Sequence, residues 1–230
     1  MNLLFLTADR VGIETGGGIV TSQERMALTS LGRVTTIRPI NEGIDPFQQD
    51  RQMNSQVEMY DFSNLAHFYA GCFSETMKTL KQKGTKTTAT AAAHDIEISK
   101  KSHLDLGIPY NYPHLTDPEL WKQYLEGYKL ADVLICPSTH SANVMRKFGC
   151  TNRIEIIPHG CHIPDKVEPL PATFVAGYLG AIGPDKGLRY LLEAWKNLNY
   201  KDAWLYLAGP DSQSPFVTQL INIFGGGNIK

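Results

Sequence analysis

Three short stretches carry residue types whose spacing suits chemistry. Gly16-Gly17-Gly18 stands between an apolar strand-like run and a helical pattern. Glycine lets backbone N–H groups approach an anion, and the helix start behind it adds partial positive charge. Gly17 and Gly18 are therefore candidate phosphate-binding residues; a flexible turn is the plainer reading. The stretch Gly180-Ala181-Ile182-Gly183-Pro184-Asp185-Lys186-Gly187 repeats the arrangement later in the chain. Here Lys186 adds a point charge beside Gly187 and a helix start, a combination suited to a diphosphate, against the plainer reading of a solvated lysine. His94-Asp95 follows the end of another strand-like run, where open α/β sheets bind ligands. An imidazole at that place hydrogen-bonds a sugar hydroxyl or handles a proton, although a lone histidine is more often structural.

Other motifs narrow the chemistry. Counting on from Gly16 and Gly18, the third glycine of a dinucleotide fingerprint is replaced by Thr21, and no acidic residue ends the second strand, so NAD is disfavoured. His159-Gly160-Cys161-His162 lacks the i,i+4 spacing of helical zinc sites and has no carboxylate or second Cys pair with it, so no metal is expected. Cys72, Cys136, Cys150 and Cys161 form no C-x-x-C pair and read as free thiols.

These residues need elements to hold them. Leu3–Thr7 reads as a buried parallel strand. A helix follows with Val20, Ala27, Leu28 and Leu31 on one face, then a strand over Arg33–Arg38. The stretch 41–56 is weakly patterned. Val57–Phe62 reads as a third strand and Leu65–Leu80 as a helix ending at Gly84; Thr85–Ala92 is β-branched strand, and 95–115 is mixed. Thr116-Asp117-Pro118-Glu119 is a capping box before a helix carrying Leu120, Trp121, Tyr124, Leu125 and Tyr128. Asp132–Pro137 is strand, Ser138 an N-cap, Ser141–Phe148 helix stopped by Gly149, and Ile154–Pro158 strand. Three prolines mark 164–173 as a linker. The pattern then restarts with strand Phe174–Leu179, a helix with Leu188, Leu191, Leu192, Trp195 and Leu198 on one face, strand Trp204–Ala208 and helix Pro215–Phe224.

The alternation predicts an α/β fold with parallel sheets: a complete Rossmann-like domain over residues 1–165 and the beginning of a second over 166–230. The 230 residues are 42 % apolar and 20 % charged, a globular composition. Lys+Arg (22) less Asp+Glu (23) gives −1, which disfavours nucleic acid as a partner. No apolar run reaches the ~18 residues of a membrane span, and the first residues make no signal peptide, so a cytoplasmic protein is expected.

Taken together, GGGIVTSQERM, AAHD, ADVLICPSTHSANVMRKFG, RIEIIPHGCHIP, GYLGAIGPDKGLRYLLEAWKNL and AWLYLAGPDS occur in an order that resembles the family-4 retaining glycosyltransferases of GT-B architecture. The resemblance spans nearly the whole chain. It implies transfer of a sugar from a nucleotide-diphosphate donor to an acceptor, with the first domain on the acceptor side and the second on the donor side. It puts Gly17 and Gly18 near the donor phosphate or acceptor, His94 at the transferred sugar as the catalytic residue, Lys186 and Gly187 on the diphosphate and Ser138 along the cleft. It also implies that no cofactor or divalent metal is used. Two positions depart from the family: Ala181 replaces an arginine, and His159-Gly160-Cys161-His162 replaces an N-G-V-D loop. The family's paired glutamates would lie beyond Lys230, so a shortened donor domain with little activity of its own is expected. Its unpaired sheet edge is expected to favour self-association. The competing readings are an interaction or acceptor-binding module and a nucleotide-sugar epimerase; the latter calls for an acid/base carboxylate cluster that the sequence does not show.

Overall fold

The computed structural model describes residues 1–8, 16–41, 45–61, 63–69, 71, 73–91, 96–109, 117–160, 163, 165–166, 169, 171–180, 186–210, 215–226 and 228–230. Among them are two parallel sheets. The first has six strands in the order β2-β1-β3-β4-β5-β6, formed by β1 (Asn2–Thr7), β2 (Arg33–Ile37), β3 (Leu65–Tyr69), β4 (Lys86–Thr90), β5 (Val133–Cys136) and β6 (Arg153–Ile156). From Leu3 on, every residue of β1 is buried, the continuous burial that explains an apolar run without alternation.

The helices that accompany this sheet in sequence are α1 (Gly16–Thr29), α2 (Pro46–Glu58), α3 (Ser74–Gln82), α4 (Ile96–Asp105), α5 (Pro118–Leu130) and α6 (Thr139–Lys147). Alternate strand residues face opposite sides. Leu4, Leu6, Phe68 and Leu134 pack with Met53, Val57, Met77 and Leu80 of α2 and α3. Leu3, Phe5 and Tyr69 face the other way, against Leu28 of α1.

The second sheet pairs β7 (Phe174–Leu179) with β8 (Ala203–Ala208). α7 (Leu188–Leu198) and α8 (Pro215–Phe224) build its core through Leu188, Leu192, Trp195, Val217 and Leu220 on Ala203 and Leu205. Residues 228–230 run parallel to β8: Leu205 N donates to Asn228 O (2.9 Å) and Lys230 N to Leu205 O (2.8 Å). Contacts divide the chain into one unit of Met1–His94 with Tyr112–Cys161 and another of Asp95–Asn111 with His162–Lys230. The chain thus passes between the units three times, and α4 belongs with the second. No helix of the described residues is long and apolar enough to cross a membrane.

Several local expectations change. The strand expected over Val57–Phe62 is absent at 57–61, while Phe62 lies outside the described residues: α2 runs to Glu58 and turns at Met59. Leu65–Tyr69 is β3 rather than the start of a helix, and α3 begins only at Ser74. A short apolar run suits a buried strand and a buried helix equally, and Gly71, at φ +108°, breaks the chain between the two elements. α2 occupies the weakly patterned stretch. Its start signal is Asp45-Pro46, with Asp45 Oδ1 accepting from Phe47 N (2.9 Å) and Gln48 N (3.1 Å). Asp117, one residue after the expected Thr116, caps α5 by accepting from Glu119 N and Leu120 N. Ala27 and Leu31 are exposed, so the buried face of α1 is narrower than its apolar pattern. Ser138 does cap α6, accepting from Ser141 N (3.1 Å), and Gly149 follows it at φ +83°.

α2 and α3 are joined by two charged side chains. Asp50 of α2 is fully buried at the start of α3, whose own N-cap position, Phe73, offers no side-chain acceptor. Its carboxylate accepts from Glu75 N (2.9 Å), Thr76 N (3.1 Å), Thr76 Oγ1 (2.6 Å) and Gln123 Nε2 (3.3 Å). At the other end, Lys83 Nζ donates to the carbonyls of Val57, Glu58 and Tyr60 at 2.8–3.0 Å, capping α2. Asp50→Ala is expected to cost about 3 kcal/mol, since it strands buried donors that had met a charge. Urea unfolding measures this, and a loss under about 1 kcal/mol would show that water replaces the carboxylate.

Candidate functional site

In the first unit the candidates follow the carboxyl ends of strands. Register aligns Thr7, Tyr69 and Thr90 at the ends of β1, β3 and β4, all three buried. Gly16, Gly17 and Gly18 are not a loop: they are the first three residues of α1, the helix that follows β1. The amides of a helix's first turn have no intrahelical acceptor, which is what makes helix starts suited to anions. Gly18 is buried, and its carbonyl accepts from Thr21 Oγ1 (2.9 Å). Ser138 follows β5 at the start of α6; its hydroxyl is occupied by the cap and by Ser141 Oγ (3.1 Å). His94 lies outside the described residues, as do Asp95, Cys161, His162 and residues 181–185.

In the second unit Gly187 is the N-cap of α7, in the left-handed region at φ +73° and with no side-chain cap, and Lys186 beside it is exposed. The start of α7 is anchored by the end of α4. Arg189 Nη1 donates to the Asp105 carbonyl, while Asp105 Oδ2 accepts from Tyr190 Oη (2.5 Å) and Lys101 Nζ (2.7 Å). Arg189 also donates to Glu193 Oε1 (3.0 Å) and lies 4.7 Å over the Phe224 ring, which ties α8 into the same anchor. The Lys101 ammonium and then the Tyr190 hydroxyl hold the Asp105 carboxyl below its ordinary range; the same Asp105 contact raises Lys101 and Tyr190.

Gly209 is a residue that sequence reasoning missed. It sits at φ +154°, and a Cβ placed on it would fall 1.9 Å from the Gly180 carbonyl oxygen. The turns after β7 and β8 therefore meet backbone to backbone, with Gly180 itself at φ +152°. The Gly209-Pro210 pair, a turn signal directly after an apolar strand, was the available clue. The α4 anchor carried no comparable signal, because Asp105 and Arg189 are 84 residues apart.

Thiol chemistry is not favoured at the described cysteines: burial pushes the Cys136 and Cys150 thiols up, away from the reactive thiolate. Among the described residues no group of three His, Cys, Asp or Glu side chains is placed to hold a metal ion.

No family model matches the chain, and no curated protein matches it in sequence. Among solved structures it is similar over its whole length to a UDP-glucosyltransferase from Polygonum tinctorium, in complex with 3,4-dichloroaniline (8 % identity, TM-score 0.43, 71 % of that chain). It is likewise similar to Arabidopsis thaliana UGT89C1 complexed with UDP-L-rhamnose (11 %, 0.44, 68 %). A third such structure is Phytolacca americana UGT2 with UDP-2-fluoro-glucose and pterostilbene (10 %, 0.45, 71 %).

Two measurements check the geometry of the second unit. Gly209→Ala is expected to destabilise it by about 3 kcal/mol or more, because the added Cβ meets backbone, which cannot swing aside as a side chain can. Unchanged exchange protection across β7 and β8 would contradict the close approach. Asp105 has a lowered folded-state pKa, so its contribution to the α4–α7 contact is present above the ordinary carboxylate value of ~3.9 and is lost as pH falls through the depressed one. An NMR titration of Asp105 should show a midpoint below ~3.9 that Lys101→Ala moves upward.

Proposed function

We propose that the chain is a retaining glycosyltransferase of GT-B architecture that takes its sugar from a nucleotide-diphosphate donor, with the first unit on the acceptor side and the second on the donor side. The observation that carries this reading is one device used twice. In each unit the first strand of a parallel sheet is followed by a helix that starts on glycine: α1 on Gly16, Gly17 and Gly18, α7 on Gly187 with Lys186 beside it. The order of sequence motifs shared with family-4 glycosyltransferases supports the same reading.

In the reaction, the bond between the anomeric carbon and the diphosphate oxygen breaks, an acceptor oxygen bonds that carbon from the same face, and the acceptor's proton passes to the departing diphosphate. Negative charge grows on the leaving diphosphate, and positive character on the sugar. Lys186 and the first-turn amides of α7 take up the leaving charge, a contribution greatest in the transition state because the charge is greatest there. His94 meets the transferred sugar, Gly17 and Gly18 bring amides to the donor phosphate or the acceptor, and Ser138 lines the cleft. The site needs no cofactor and no metal, since a lysine and helix dipoles supply the positive field.

Titration with UDP, GDP and ADP is the direct test. Lys186→Ala should weaken the nucleoside diphosphate that binds by about tenfold or more, the range for a lost charge-assisted hydrogen bond. In a complete homologue, His94→Ala should lower kcat more than it weakens donor binding. Absence of binding by all three nucleotides, or binding indifferent to Lys186, overturns the donor-side assignment.

A further inference from the structure

A partly buried row of polar side chains around His67 lies beneath α1, and the reaction just described does not use it. Register places Thr36, Phe5, His67 and Thr88 side by side across β2, β1, β3 and β4. His67 is 4 % exposed and its ring stacks on Phe5, with centroids 5.8 Å apart and planes 8° from parallel. Nδ1 lies 2.7 Å from Thr88 Oγ1, and Nε2 lies 3.0 Å from Glu24 Oε2 of α1. The other Glu24 oxygen accepts from Thr90 Oγ1 at 2.7 Å. The next residue, Arg25, reaches the opposite way: its Nε donates to Thr36 Oγ1 at 2.9 Å. Two consecutive residues of one helix thus grip strands on both sides of β1.

The proton arrangement is consistent throughout. An ionised Glu24 can only accept, so Nε2 carries a hydrogen and donates it. In the neutral ring Nδ1 then accepts from the Thr88 hydroxyl. In the charged ring Nδ1 donates, and the Thr88 oxygen accepts. Either state leaves every buried polar atom of the row with a partner, and the grip does not depend on which one is present.

Apolar burial alone does not fix a helix on a sheet, because it is proportional to area and has no direction. Along α1 the core side chains beneath it are few, Val20 and Leu28 among them, and its first turn is glycine, the residue least able to hold a helix. We propose that His67 is a positioning residue: by fixing Glu24 it sets the roll and axial position of α1, and so the placement of the Gly16–Gly18 amides. The inference rests on the phosphate-binding role given to those glycines. Glu24 is eight residues from Gly16, about two rigid turns, so a displacement at one is passed to the other. A misplacement of about 1 Å in such a site is enough to cost binding or rate heavily.

Two substitutions separate the bond from the ring. His67→Gln keeps a donor near the Nε2 position, facing Glu24. His67→Asn keeps a polar group near Nδ1, facing Thr88, and abandons Glu24. Both lose the stack on Phe5. With the full 230-residue chain, His67→Asn is expected to speed amide exchange in α1 by about tenfold while α3 and α5 stay unchanged, and His67→Gln to restore most of the protection. The affinity for whichever of UDP, GDP and ADP binds should fall about tenfold in His67→Asn and recover in His67→Gln. Equal exchange in the two variants would assign the effect to ring packing and overturn the proposal, as would an increase shared equally with α3. Restored exchange without restored affinity would also overturn it. If the unaltered chain binds no nucleotide, the glycosyl-transfer reading fails, and the exchange comparison still decides whether His67 anchors α1. Should both variants fail to fold, Thr90→Val, which removes one hydroxyl from Glu24, is expected to raise α1 exchange about threefold with α3 unchanged. No change in α1 then counts against the anchor.

Discussion

Every helix that covers a parallel sheet runs opposite to the strands, so helix N-termini collect at the carboxyl edge with their unbonded N–H groups. Disposing of those groups is the constraint on which the rest of this protein depends. α2, α5 and α6 satisfy it with their own Asp45, Asp117 and Ser138. α3 cannot, having Phe73 at its cap position, and borrows Asp50 from its neighbour; Lys83 returns the service at the C-terminus of α2. α7 departs from the pattern. Gly187 brings no oxygen, and α1 opens on three glycines. The side-chain caps of α2, α5 and α6 occupy the first-turn amides that an anion would otherwise take, whereas Gly187 has no side chain with which to do so.

That contrast bears on specificity of position rather than of substrate. A helix start without a cap loses the anchoring that the cap supplies, so its place has to be set from elsewhere. For α7 the anchor is the end of α4 through Asp105; α1 is held along its length by the half-buried carboxylate of Glu24. Both are directional polar contacts made away from the glycines.

Much of this was legible in the sequence because it is local. Strand β1, the Ser138 cap, the Gly149 stop and the restart at Phe174 each depend on a few consecutive residues. Leu65–Tyr69 is ambiguous in the sequence because a run this short satisfies either period, and α2 is hard to see because its buried face holds an aspartate where a helix usually shows a hydrophobe. The contacts of Asp50, Glu24 with His67, and Asp105 with Arg189 were not legible, since each joins residues far apart in the chain whose types alone mark them as ordinary surface charge. Gly209 was hidden for a different reason: what forbids a side chain there is the backbone of another loop.

The three passages of the chain between the units separate covalent from physical membership. α4 is spelled out in the middle of the first unit's sequence, yet its end is bonded to α7 and Leu106 packs into the second core. A protease that cut the proline-rich stretch 164–173 would therefore not release two independent pieces: the amino-terminal fragment would keep α4, and with it a hand on the carboxy-terminal one. After such a cut the embedded helix would still join the two fragments.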